Sequence, residues 1–171
     1  MIEIINSIRK YNYWGGNSVD LGYRRMFYTE KIGQYIGNKL VKVLVGQRRA
    51  GKSYILRQLA SQLIVQGVKS ENILYINKEY MEYITLRSAM ELEELYKAYR
   101  QELKPQGKVY LFIDEIQYID QWERFVNSHS QDLAEPCELF ISGSNSNLLS
   151  GELATLLSGR YVEFEVFPFS Y

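Results

Sequence analysis

Apolar positions along this chain switch repeatedly between two periods. Short runs dense in β-branched and aromatic residues read as strands: Lys39–Val45 (KLVKVLV), Asn72–Lys78 (NILYINK), Lys108–Ile113 (KVYLFI), Glu138–Ile141 (ELFI) and Arg160–Phe167 (RYVEFEVF). Between them the apolar residues recur at helical spacing. Ile4, Ile5, Ile8 and Tyr11 place an amphipathic helix over Ile2–Tyr13, broken at Trp14-Gly15-Gly16-Asn17. A second helix is expected from about Thr29, as N-cap, to Gly37. Ile55, Leu56, Leu59, Leu63 and Ile64 share one face of a helix over Ser53–Gln66. A long helix is expected over Met81–Leu103, ended by Pro105 and Gly107. Another begins at Asp120 or Gln121 with Trp122, Phe125, Val126, His129 and Leu133 on one face, and Gly151–Leu157 forms a short last helix.

Strands alternating with helices imply an α/β fold, a parallel sheet with right-handed crossovers and helices on both faces. The expected organisation is a single domain. A helical lead-in, residues 1–38, packs on a core of residues 39–171. The chain stops straight after the last strand, so a fragment of something larger is expected.

Composition narrows the classes. A 171-residue chain with 46% hydrophobic residues buries a sizeable core. Lys+Arg and Asp+Glu both number 20, so net charge gives no general drive toward DNA or an anionic membrane. DNA therefore remains a partner that the charge does not support. Cys137, the single cysteine, has no internal disulfide partner. No apolar run approaches the ~18 residues of a membrane helix, and the start lacks a signal-peptide core. A cytoplasmic protein without a membrane partner is the expectation. The fifteen tyrosines are read as packing residues.

The chemistry centres on Gly46–Ser53, GQRRAGKS, which fits G-x-x-x-x-G-K-[ST] at every fixed position and lies between a strand and a helix. Glycines at 46 and 51 let the loop wrap with its N–H groups inward, and the following helix adds its positive end. The loop thus reads as a triphosphate cradle, with Gly46, Arg49, Ala50, Gly51, Lys52, Ser53 and Tyr54 as nucleotide-binding residues. Lys52 is expected on the β- and γ-phosphates and Ser53 on Mg²⁺. For Arg48 and Arg49 a solvated loop position is the other reading. In the lead-in, Tyr28 or Arg25 would wall an adenine pocket, with surface charge the alternative for Arg24 and Arg25.

The strand VYLFI ends in Asp114-Glu115, which brings carboxylates to the carboxyl edge of the sheet, where ligands bind in such folds. Asp114 is expected to hold Mg²⁺ and Glu115 to orient or deprotonate an attacking water. The next strand ends in Ser142-Gly143-Ser144-Asn145-Ser146-Asn147, where Asn145 or Ser144 would meet the γ-phosphate or the water. Arg160 would stabilise transition-state charge, in cis or from a neighbouring copy; a surface ion pair is the other reading. His129, on an apolar helix face, is read as a packing residue.

With these pieces placed, the chain resembles ATPases of the AAA superfamily. The segment ISGSNSNLLSGELATLLSGRYVEFEVFPFS, with GQRRAGKS and LFIDEIQ, is similar to a group of bacterial and archaeal ATPases that usually carry a nuclease-like C-terminal domain. The resemblance covers about residues 20–171. It implies a three-layer α/β/α P-loop NTPase core, with five parallel strands in the order 5-1-4-3-2; the chain departs from the family in length, the helical lid that such proteins carry being absent from it. It also implies Lys52 and Ser53 as Walker A residues, Asp114 and Glu115 as Walker B, Asn145 as sensor 1 and Arg160 as a finger. The function expected is Mg-dependent ATP hydrolysis coupled to conformational change, with a second copy or the C-terminal domain as partner in trans. The alternative is a nucleotide-gated DNA- or protein-interaction domain with little hydrolysis. A kinase is disfavoured by Glu115, which would waste ATP on water. A GTPase is disfavoured because Asn77-Lys78-Glu79-Tyr80 lacks the aspartate that reads guanine.

Overall fold

A computed structural model describes residues 2–144, 148, 152–157 and 159–168. The apolar runs form β1 (Val41–Val45), β2 (Ile73–Asn77), β3 (Val109–Asp114), β4 (Cys137–Gly143) and β5 (Tyr161–Glu165). The helices are α1 (Ile2–Ile8), α2 (Met26–Gly33), α3 (Lys52–Val65), α4 (Ala89–Leu103), α5 (Trp122–Ser130) and α6 (Glu152–Leu157). All strand pairs are parallel, in the order β2-β3-β4-β1-β5, which is the expected order read from the other side.

Strand alternation sorts the core into two halves. Val41, Val43, Val45, Leu111, Ile113, Leu139 and Ile141 face α1, α4 and α5, whereas Leu44, Tyr75, Phe112, Phe140 and Phe164 face α2 and α3. Phe112 and Phe140 stack across β3 and β4 at 4.5 Å. Each large side chain buried in this way contributes about 1.5–3 kcal/mol. Polar burial marks the amino edge of the sheet. Lys42, fully buried, meets Glu138 at 2.9 Å, and Glu138 also accepts from Lys108 and from the Gly37 N–H. Among the described residues no helix is long and apolar enough to cross a membrane.

Helix limits differ from the periodicity for identifiable reasons. α1 stops at Ile8 because the Asn12 side-chain amide takes the Ile8 carbonyl, and single 3-10 turns follow at Arg9–Tyr11 and Trp14–Gly16. Thr29 is no N-cap. It lies inside α2, its hydroxyl donating to the Met26 carbonyl. α4 starts eight positions later than expected, where Ser88 caps it by accepting from the Glu91 N–H; Met81–Tyr83 is a separate 3-10 turn. α5 ends at Ser130, which leaves Leu133 80% exposed instead of on the helix face.

β2 is an outermost strand, and the lead-in occupies its outer edge. The Asn12 amide donates to the Tyr75 carbonyl, and its Oδ1 accepts from the Tyr75 N–H at 2.7 Å. Trp14 Nε1 donates to the Ile73 carbonyl at 2.8 Å, and the Tyr83 hydroxyl to the Tyr75 carbonyl at 3.1 Å. Side chains thus complete a backbone row that a neighbouring strand would otherwise pair. Asn12 is fully buried, so Asn12→Ala strands the Tyr75 N–H. The expected loss is about 2 kcal/mol, read as a lower urea midpoint with unchanged slope.

Candidate functional site

Four strands end together at the carboxyl edge. The last β1–β4 pair is Val45↔Gly143, the last β3–β4 pair is Ile113↔Ile141, and Asn77 pairs with Asp114. This register sets the ends of β3 and β4 beside the loop after β1, and that loop, with Glu79 and Glu115, lines a cleft of about 770 Å³. Arg48, Lys52, Ser53, Tyr54, Glu79 and Glu115 are among its lining residues.

The loop is built as its glycines require. A Cβ on Gly46 would lie 2.3 Å from the Val166 carbonyl oxygen, so β5 leaves no room for a side chain there. Gly51 has φ 98°, a left-handed conformation that starts α3. Arg49 also takes a positive φ of 66°, with its side chain exposed at the cleft rim. Ala50 is buried, and its carbonyl accepts from Arg25 Nη1 at 2.9 Å. Arg25 Nη2 donates to the Phe167 carbonyl at 2.7 Å, so this arginine braces the loop against the end of β5. Its guanidinium also lies over Tyr28, 4.8 Å from the ring centre. Arg48 pairs with Glu79 at 3.0 Å, both side chains exposed. Tyr54 packs on Gly22 and lies beneath Arg57.

Lys52 opens α3 and is only 4% exposed. Its ammonium donates to the Gly46 carbonyl at 2.6 Å and the Gln47 carbonyl at 3.0 Å, and stands 3.9 Å from Glu115. Burial pushes its pKa below the ordinary value, while Glu115 and Asp114 pull it back. Ser53 Oγ donates to Asp114 Oδ2. Asp114 is fully buried. Its Oδ2 also accepts from Tyr75 at 3.0 Å and Asn77 at 3.3 Å, and its Oδ1 from Ser142. Burial raises the Asp114 carboxyl above the usual range, opposed by the hydroxyls of Ser142, Ser53 and Tyr75.

Glu115 follows in a left-handed conformation, φ 56° and ψ 48°. Its carboxylate accepts from Ser144 Oγ at 2.7 Å to each oxygen and from Gln117 Nε2 at 2.5 Å.

A hydroxyl touching one buried carboxylate is the donor set that suits Mg²⁺, which takes one or two carboxylates and completes its shell with substrate phosphates and water. Among the described residues no group of three or more His, Cys, Asp or Glu could hold an ion by itself. Ser53 and Asp114 therefore fit a magnesium ion that arrives with a phosphate ligand.

Lys52, Ser53 and Glu115 thus line one cleft, with Asp114 buried directly behind Ser53. Arg160 does not join them within one chain. It precedes β5, and β5 runs parallel to β1, so it stands at the amino edge while Gly46 stands at the carboxyl edge. The five residues of β1 separate these edges by roughly 16 Å. Its guanidinium donates to the Leu157 and Leu156 carbonyls and to Asn127 Oδ1. The reading of Arg160 as acting beside the site in cis is corrected accordingly. Asn145 lies outside the described residues. His129 is remote from the cleft, bonded to Glu93 at 2.5 Å and packed on Phe125 and Tyr96. Sequence reasoning missed Ser142, Tyr75, Asn77 and Gln117 as site residues. For Ser142 and Asn77 the available signal was a polar residue near the end of an otherwise apolar strand; Tyr75, in mid-strand, and Gln117, in the turn after β3, carried no such mark.

The family model described as an AAA domain matches residues 38–171. A Haemophilus influenzae protein described as uncharacterized is 44% identical over 146 residues, which cover 84% of this chain and 35% of that protein. A second uncharacterized relative, from Methanocaldococcus jannaschii, is 35% identical over 136 residues, covering 80% of this chain and 28% of its own. The chain spans about a third of the length of these curated relatives. Among solved structures, the Aeropyrum pernix ORC1 protein in complex with DNA superposes with a TM-score of 0.59 at 15% identity, covering 88% of this chain and 47% of that one. The Walker-type ATPase of Pyrococcus abyssi gives 0.55 at 17% identity, covering 86% and 54%. The Thermotoga maritima RuvB Holliday junction branch migration motor gives 0.53 at 20%, covering 83% and 43%. At such identities the likeness is one of fold. The matched residues take in the loop, the acidic pair and the parallel sheet that joins them, and the chain belongs to the AAA family of P-loop ATPase domains.

Proposed function

We propose that this chain binds ATP with magnesium and hydrolyses it to ADP and phosphate, the nucleotide state setting the conformation of a larger protein. The observation that carries this reading is the convergence of Lys52, Ser53 and Glu115, with Asp114 buried against Ser53, on one cleft behind a glycine-built loop. Lys52 exchanges its two loop carbonyls for β- and γ-phosphate oxygens, a charge-assisted contact stronger than the one it gives up. Ser53 and Asp114 hold the metal side of the triphosphate. Bound magnesium neutralises charge on the phosphate oxygens. Glu115 orients a water and takes its proton. Asn145 senses the γ-phosphate, and Arg160 reaches the site of a neighbouring copy.

Magnesium titrated with ATP against the purified chain, by calorimetry, is expected to show one site per chain, with phosphate release following. An absence of magnesium-dependent ATP uptake overturns the reading.

The alternative, a nucleotide-gated interaction domain with little turnover, draws on one observation. The Glu115 carboxylate is already engaged by Ser144 and Gln117. ATP uptake without phosphate release would select it. The DNA of the ORC1 complex and the Holliday junction of RuvB belong to those proteins, and zero net charge adds no support for DNA here. A cytoplasmic location, and a second copy or a C-terminal domain as partner, complete the proposal.

A further inference from the structure

We propose that Ser142 is a positioning residue that couples the two acidic side chains of the site. It sets the metal carboxylate and the water-directing carboxylate in fixed relation through one hydroxyl. The inference rests on the ATPase reading above and assigns it a residue outside the loop and the acidic pair.

Ser142 is fully buried on β4, one position beyond the last β3–β4 pair, Ile113↔Ile141. A serine hydroxyl carries one proton and two lone pairs. An ionised Asp114 can only accept, so the proton goes to Asp114 Oδ1. One of its two lone pairs accepts from the Glu115 N–H at 3.1 Å. The two bonds do different things. The first fixes Asp114 about its side-chain torsions, leaving Oδ2 to face Ser53 and the metal position. The second holds Glu115 in its left-handed backbone, a conformation costing about 1–2 kcal/mol for a residue with a Cβ. That backbone turn aims the Glu115 carboxylate at Ser144 and Gln117. At this point in the sheet β4 offers a side chain where a backbone carbonyl would otherwise take the N–H. An alanine at this position would strand the Glu115 N–H and free Asp114 Oδ1 together.

The test compares Ser142→Ala, Ser142→Thr and Ser142→Cys with the parent chain. Phosphate release is measured against ATP and against magnesium separately, and thermal unfolding alongside. Loss of an outer partner of a metal ligand typically costs 10- to 100-fold. Ser142→Ala is expected to lower kcat about tenfold or more and to raise the magnesium concentration for half-maximal rate about tenfold. Its KM for ATP at saturating magnesium should stay within about twofold, because Lys52 and the loop are untouched. Ser142→Thr, which keeps the hydroxyl, should return both values to within a few-fold of the parent. Ser142→Cys, a weaker donor of similar shape, should fall between and carries the test if Ser142→Ala does not fold.

Parent-like kcat and magnesium dependence in Ser142→Ala, or in Ser142→Cys where it stands in, overturns the proposal. So does a loss of rate with unchanged magnesium dependence that threonine does not restore, since that is a packing effect. A parent chain that takes up no magnesium-ATP fails differently, and overturns the ATPase reading and this inference with it.

Discussion

Lys52→Ala is expected to weaken ATP binding at least a hundredfold, to the point of no measurable heat in a calorimetric titration. The side chain is 4% exposed and held by two loop carbonyls, so its ammonium is presented at a fixed place in the cleft. Truncating one partner of a buried charge pair costs roughly 2–5 kcal/mol, and each 1.4 kcal/mol is tenfold in affinity. Much of the penalty is the triphosphate charge left without its partner. In the nucleotide-free chain the same substitution removes a charge whose burial is already unfavourable. Thermal stability without ATP should therefore change little. Near-parental affinity in Lys52→Ala would mean that the triphosphate sits elsewhere.

Glu115→Gln is expected to separate binding from turnover. The amide has the shape of the carboxylate and keeps an oxygen for Ser144, so the site should assemble and ATP should bind as in the parent. The amide takes no proton from water. A general base contributes about 10²–10⁴-fold, so phosphate release should fall by at least a hundredfold. The check is a filter-binding measurement beside a phosphate-release assay on one preparation. Release at the parent rate would remove Glu115 from the reaction, and lost binding would make it a structural residue.

The architecture was legible because the strands are near-continuous apolar runs, a pattern that a sheet covered on both faces demands. VKVLV and VYLFID needed no tertiary information. Helix starts were less legible. Tyr83 and Leu86 continue the apolar spacing of α4 backward, yet they are buried in a 3-10 turn and the turn after it, which Ser88 closes off from the helix. Leu133 continues the stripe of α5 forward after the helix has ended. Periodicity does not mark where a backbone hydrogen bond is handed to a side chain, and capping decides that. The loop and the acidic pair were visible as local strings. Tyr75 and Asn77 come from β2 and Ser142 from β4, and they meet Asp114 only through sheet register. The position of Arg160 was available in principle. A residue that opens a parallel strand stands at the opposite edge from one that follows its neighbour.

The side-chain seal on β2 has a consequence for self-association. Asn12 and Trp14 satisfy a strand rim without offering a rim of their own, so the sheet is terminated there and not merely extended by one more ribbon. A shortened version lacking residues 1–17 would expose the Ile73 carbonyl and the Tyr75 N–H as a template onto which another copy can zip, and solubility would then depend on concentration. The leading segment therefore acts as a gatekeeper against open-ended polymerisation, and handling the ATPase core alone means replacing that protection.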